Sequence, residues 1–273
     1  MVTTSDFDDG AVARLTEQYD VEARAYAAHW APIVHPVACR LLDELPQHTV
    51  ERALDLGAGA GLLLPVIRDK FKQALVVGID RSEGLLGLAG PDAPLVVGDA
   101  AGLCLRKSTF DLVVMAFMLY HIPNPMAALS EAVRILTPRG MLALTTWAGD
   151  MESPMVRIWN EELDASRAVA PEALGRIAQH DLMDTPDKIE NLLKSAGFVS
   201  VCADIREFTH DIELDEFIRL RTRVGSTRQR FESLNDIARN RLLERVRERM
   251  STISDHDVAL RLSIIFASAR LPG

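Results

Sequence analysis

From about residue 50 to residue 147, short apolar runs alternate with stretches of helical periodicity. Glu51–Leu56 reads as a strand that ends in glycines, and Gly61–Phe71 as the helix that follows. Ala74–Asp80 is the next strand, Ser82–Ala89 a short helix, Pro94–Asp99 a third strand and Phe110–Phe117 a fourth. Asn124–Leu136 is an amphipathic helix stopped by Pro138 and Gly140, and Met141–Trp147 is a fifth strand. Several of these strands are apolar on both faces, as strands between two helix layers must be. Strand–helix alternation with short connections predicts an α/β protein with a doubly wound, mostly parallel sheet. Ligands in such sheets lie at the carboxyl ends of the strands, where the strand order reverses.

The flanks read differently. Residues 11–45 predict two helices, with Tyr19, Tyr26 and Trp30 in the first. An irregular, partly helical stretch runs from Trp147 to about Asp184, and Thr185–Ala196 is a helix closed by Gly197. Val199–His210 is a strand, Leu214–Met250 is mostly helical, and a strand within Asp257–Leu271 ends the chain. The expected organisation is N-terminal lid helices (1–45), a ligand-binding core (46–150), and the remaining core strands (151–273) with a helical cap inserted at about 211–252. Such a cap would sit over the carboxyl edge of the sheet.

Composition narrows the classes. The chain has 273 residues, 48% hydrophobic and 25% charged, which is ample for a large core and excludes disorder. No apolar run approaches the ~18 residues of a membrane-spanning helix. The acidic, polar start is unlike a secretory leader. Three widely spaced cysteines, Cys39, Cys104 and Cys202, argue against a disulfide framework and fit a cytoplasmic location. A net charge of −9 argues against nucleic-acid or anionic-membrane partners.

The chemistry concentrates in Asp55-Leu56-Gly57-Ala58-Gly59-Ala60-Gly61, which follows a strand and opens a helix. Glycines let the backbone turn tightly and approach a ligand, and the helix start offers unpaired N–H groups. Dinucleotide enzymes share such turns, but their G-x-G-x-x-G spacing would need glycine where Leu62 stands. Asp55 inside the turn would pair with an ammonium group and repel a pyrophosphate. Asp80 and Asp99 end the next two strands, where carboxylates suit a ribose diol and an adenine amine. Helix capping or turn formation is the plainer role for any one of these aspartates.

This constellation resembles the class I S-adenosylmethionine-dependent methyltransferases, particularly the small-molecule group that includes the ubiquinone and menaquinone biosynthesis methyltransferases. Ala53–Gly61, Val76–Ser82, Val96–Ala100 and Phe110–Ile122 carry the resemblance, with Tyr19, Asp20 and Tyr26 in the N-terminal helix. The resemblance implies a seven-stranded Rossmann-like methyltransferase fold and S-adenosyl-L-methionine as cofactor. It implies that Asp55 and the Gly57–Ala58–Gly59 backbone face the methionyl part. Asp80 would bind the ribose, Arg81 would lie along the adenine, Asp99 would accept from the adenine amine, and the Ala100 N–H would meet a ring nitrogen. Ala116 and Phe117 would line the site near the sulfonium, and Tyr26 would close over the cofactor, with Tyr19 or Trp30 as alternatives. The chain differs from the pattern at Met115-Ala116, where relatives often carry a polar residue, and at Tyr120-His121, where many carry two histidines.

Methyl transfer from a sulfonium needs positioning and exclusion of water more than a nucleophilic side chain. His121, past the fourth strand, is the candidate general base, the alternative being a packing role. His35 and Cys39 have metal-pair spacing without a second pair, so no metal is expected. Leu214–Met250 holds ten arginines against six acids. Arg239, Arg245 and Arg249 read as a solvated helix face, and others could pair with an anionic acceptor. The expected activity is O-, N- or C-methylation of a small natural-product or quinone-like acceptor. The alternative is a related protein that holds the cofactor structurally and catalyses a non-methylating cyclisation or rearrangement. A nicotinamide oxidoreductase is disfavoured by Leu62 and Asp55, and RNA or protein methylation by the absence of a basic stripe outside the cap. The N-terminal helices could also pair between the subunits of a homodimer.

Overall fold

The computed structural model describes residues 9–46, 49–90, 93–149, 153–169, 180–254 and 257–273. The acidic start of the chain and part of the stretch expected to be irregular after Trp147 lie outside the described residues. Seven strands form one sheet: β1 (Arg52–Leu56), β2 (Leu75–Asp80), β3 (Leu95–Val97), β4 (Phe110–Ala116), β5 (Leu136–Trp147), β6 (Val199–Asp211) and β7 (Ala259–Arg270). Their order is β3-β2-β1-β4-β5-β7-β6. Neighbours from β3 to β5 are parallel, and β7 runs antiparallel between β5 and β6. The chain steps outward from β1 to β3 and returns on the other side at β4, so the crevice of this sheet opens between the carboxyl ends of β1 and β4.

The central strands are buried as their sequences require. Ala53 and Leu54 in β1 and Leu112–Met115 in β4 have no exposed surface. The covering helices are α2 (Ala31–Glu44), α3 (Leu63–Lys70), the single turn α4 (Glu83–Leu86), α5 (Pro125–Ile135), α6 (Pro154–Ala165) and α7 (Pro186–Ser195). Proline stands in the first turn of α5, α6 and α7, where its missing N–H costs nothing. Gly197, at φ +100°, ends the α7 segment.

α6 is the helical part of the stretch expected to be irregular and partly helical. Two local expectations change. β5 begins at Leu136, directly after α5, rather than at Met141. Pro138 and Arg139 (φ +63°) fall where the register with β4 breaks between Phe110 and Leu112, so the strand absorbs the irregularity instead of starting after it. The N-terminal helix α1 (Asp9–Ala25) ends before Tyr26, and Tyr26–Trp30 forms one π-helical turn leading into α2. The cause is Pro32, whose ring would clash with the carbonyl four residues earlier in an unbroken α-helix.

α1 is held between the core and the cap. On the core side, Asp20 Oδ1 accepts from Ser82 Oγ at 2.6 Å and from Gly84 N at 2.8 Å. The cap consists of α8 (Leu214–Arg223), α9 (Gly225–Glu232) and α10 (Asp236–Met250). Buried Glu22 accepts from Gly225 N at 2.7 Å and Arg228 Nη1 at 3.0 Å, and Gln229 donates to Gln18. The arginines read as a solvated face have other work. Arg245 and Arg249 converge on buried Glu162 of α6, and Arg239 donates to the carbonyls of Phe231 and Glu232. Burial alone would raise the Glu162 pKa, but the two guanidinium groups hold it below its usual range.

Docking of α1 depends on a side chain that is missing. A Cβ at Gly84 would stand 2.7 Å from Asp20 Cα and O. Gly84→Ala, a change that would favour an isolated helix by up to ~1 kcal/mol, is expected to destabilise this protein by about 1–3 kcal/mol. Urea unfolding would measure the loss, and limited proteolysis would show earlier cleavage within α1.

Candidate active site

Two adjoining cavities open at the carboxyl ends of β1, β2 and β4. The larger is lined by Tyr26, Gly57, Gly59, Asp80, Arg81, Ala100, Ala116, Phe117 and His121, with Tyr19, Leu15 and Thr16 from α1. The smaller is lined by Asp55, Ala58, His35 and by Leu62 and Leu63 at the start of α3. Tyr26, Gly57, Gly59, Ala116 and Phe117 border both, so the two are compartments of one groove.

The glycine spacing has a backbone reason. Gly57, Gly59 and Gly61 have φ of +83°, +54° and +72°, a region in which side-chain-bearing residues are strained. A Cβ at Gly57 would strike Met118 Cβ at 2.5 Å, whereas one at Gly59 would meet nothing within 4 Å. The space before Gly59 is therefore open for a ligand to approach the backbone. Asp80 closes the loop from the other side: its Oδ2 accepts from Gly59 N at 2.8 Å and its Oδ1 from Ser82 N at 2.9 Å. Burial raises the Asp80 pKa, opposed by these N–H groups and by Arg81.

Asp55 is the anomaly. Its carboxylate is 1% exposed, and neither oxygen has a hydrogen-bond partner. Burial, and then the charge of Asp80, push its pKa up to about 7. Phe117 is a second sign of strain, with φ +55°. Its N–H donates to Thr145 O at 3.0 Å and its ring lies 5.0 Å from Trp147. A bulky residue held in this region costs about 1–3 kcal/mol, and such residues cluster at functional sites.

On the wall beneath α1, Tyr19 Oη lies 2.8 Å from His121 Nε2. Tyr26 packs edge-on against Tyr19 at 5.8 Å. Burial raises the pKa of Tyr19 and of Tyr26, and takes that of Tyr120 up to about 12, so these phenols stay protonated.

Eleven of the twelve residues expected at the site thus border the groove. Asp99 lines neither cavity: its Oδ1 pairs with Arg81 at 2.7 Å and accepts from the Ala101 N–H of its own turn at 2.9 Å. That is the turn-forming role available to any aspartate there. No residue of α8–α10 lines either cavity; the cap braces α1 instead. Most cap arginines, including Arg219, Arg228, Arg230 and Arg247, are paired with carboxylates. Sequence reasoning missed Met118, which packs on Gly57, and the docking role of Asp20. It placed His35 with Cys39 by spacing, whereas the structure places it in the smaller compartment.

Residues 54–144 match the methyltransferase domain family. Over 219 residues the chain is 30% identical to the nocamycin O-methyltransferase of Saccharothrix syringae, covering 72% of this chain and 75% of that protein. It is 30% identical over 172 residues to the demethylmenaquinone methyltransferase of Beutenbergia cavernae, covering 59% and 70%. Among solved structures, the phosphoethanolamine N-methyltransferase 2 of Haemonchus contortus, in complex with S-adenosylhomocysteine, shares the fold with a TM-score of 0.57 at 19% identity, covering 96% of this chain and 59% of that one. The [4+2]-cyclase SpnF also gives a TM-score of 0.57, at 18% identity, covering 96% and 97%.

The state of Asp55 has a measurable consequence. A folded-state pKa near 7, above the ~4 of an unfolded aspartate, means that the empty folded protein binds the extra proton between those values. Stability from this group therefore falls as pH rises from about 4 through 7. Asp55→Asn is expected to melt several degrees higher than the unmodified protein at pH 8 without ligand, the gap closing toward pH 4. Differential scanning calorimetry across that range is the check.

Proposed function

Because this chain belongs to the class I S-adenosylmethionine-dependent methyltransferases, we propose that it methylates an oxygen of a small natural-product or quinone-like acceptor held beneath the N-terminal helix. The residues present fit the cofactor. The unpartnered Asp55 carboxylate suits the ammonium of a methionyl group, the open face of Gly59 admits a ligand to the backbone, and Asp80, which lines the larger cavity, is the carboxylate that would accept from a ribose hydroxyl. When bound, S-adenosylmethionine supplies a methyl group already activated on a positively charged sulfur.

The observation that carries the acceptor reading is the Tyr19–His121 contact on the wall of the compartment that holds Asp80. With His121 neutral and its proton on Nδ1, the buried, protonated phenol of Tyr19 donates to Nε2. An acceptor hydroxyl placed against Tyr19 passes its proton to the phenol oxygen as the phenol proton moves to Nε2. The acceptor oxygen becomes a better nucleophile and the charge is left on the imidazolium. Leu15, Thr16 and Tyr26 line the same cavity, and with an acceptor in place they would help to keep water from the reacting atoms. Ala116 and strained Phe117 form the junction between the compartments, where the reacting atoms would meet. The names of the O-methyltransferase and menaquinone-type relatives support a small acceptor of this kind.

His121→Ala is expected to lower the single-turnover rate of methyl transfer by about 10²–10⁴-fold while leaving the affinity for S-adenosylhomocysteine within about twofold. Tyr19→Phe should lose less, because the imidazole can still take the proton directly. Near-normal transfer by His121→Ala would remove the base assignment. Consumption of acceptor without formation of S-adenosylhomocysteine would point instead to the non-methylating reaction.

A further inference from the structure

The smaller compartment has a composition that the general reading of the site does not use. Its described lining contains three polar side chains: Asp55 at the end of β1, Tyr26 at the junction, and His35 on α2. The remainder is glycine or apolar, including Ala31, Val34 and Leu63. An amino-acid end carries two opposite charges close together. Asp55 answers the ammonium and would repel the carboxylate, so the carboxylate requires an N–H donor on another wall. We propose that His35 is that donor and binds the α-carboxylate of the cofactor's methionyl end. The inference rests on the reading that this chain binds S-adenosylmethionine, and adds to it a residue that discriminates one end of the molecule.

The surroundings of His35 favour this role. Burial lowers its pKa and so favours the neutral ring, which carries one N–H. Cys39, one helical turn on, has its sulfur 3.5 Å from Nε2 and 3.9 Å from Nδ1, a soft contact that steadies the ring. Burial also raises the Cys39 pKa, so no thiolate competes for the imidazole proton. The start of α3, at Leu62 and Leu63, borders the same space and adds the positive end of a helix dipole beside the expected carboxylate. On this proposal the His35–Cys39 spacing that looked like half a metal site serves a different task.

Calorimetric titration of the full-length protein with S-adenosylhomocysteine, and with its decarboxylated analogue that keeps the ammonium, tests the proposal without turnover. The unmodified protein is expected to prefer S-adenosylhomocysteine by about tenfold or more, the usual worth of one hydrogen bond to a charged group. In His35→Ala that preference should fall to within about twofold while affinity for the analogue is unchanged, and His35→Asn, which keeps an N–H donor, should restore part of it. Circular dichroism and melting temperature establish that each variant is folded. If His35→Ala keeps the full preference, or weakens both ligands equally, His35 does not read the carboxylate and the cofactor reading stands. If the unmodified protein binds neither ligand, the cofactor reading itself fails.

Discussion

A carboxylate taken out of water with nothing to answer it is costly, and this fold keeps one at the end of its central strand. Asp55 has no hydrogen-bond partner, little exposure and a neighbouring acid in Asp80. An uncompensated buried charge is normally neutralised or paired. β1 is hydrogen-bonded on both sides, to β2 and β4, which fixes the face of the sheet from which the side chain projects. On the reading proposed above, a ligand that brings an ammonium would relieve that cost.

The second carboxylate of the site does the opposite work. Asp80 ties the glycine loop to the turn after β2, and that turn in turn receives α1 through Ser82, Gly84 and Asp20. α1 also reaches the cap through Glu22, Gln18 and the contacts of α9. One helix therefore joins the ligand loops to the most distant part of the chain. The π-helical turn below it carries Tyr26 to the junction of the two compartments.

The parallel core was legible because its cause is local. Apolar runs of strand length, glycines at a turn that demands positive φ, and Asp55, Asp80 and Asp99 at successive strand ends are all written in contiguous residues. The departures arise where a distant or covalent constraint overrode the pattern. Pro32 broke an expected helix at Tyr26, the register of β4 drew Leu136 into β5, and Glu162 gathered Arg245 and Arg249 that read as a solvated face. Asp99 stands at the strand end where the pattern puts it, with its Oδ1 engaged by Arg81 and by the Ala101 N–H of its own turn.

By itself, then, the sequence determined the α/β class, the parallel strand run, the glycine turn and the acids at successive strand ends. These depend on the period of hydrophobic residues and on the backbone angles particular residues permit. Only the tertiary structure decided that Tyr19 meets His121 across 102 residues of chain, that His35 shares a chamber with Asp55, and that the cap braces α1 rather than lining the groove. Such meetings follow from how whole elements pack. Side-chain partners separated by many residues leave no mark in the local spacing of either one.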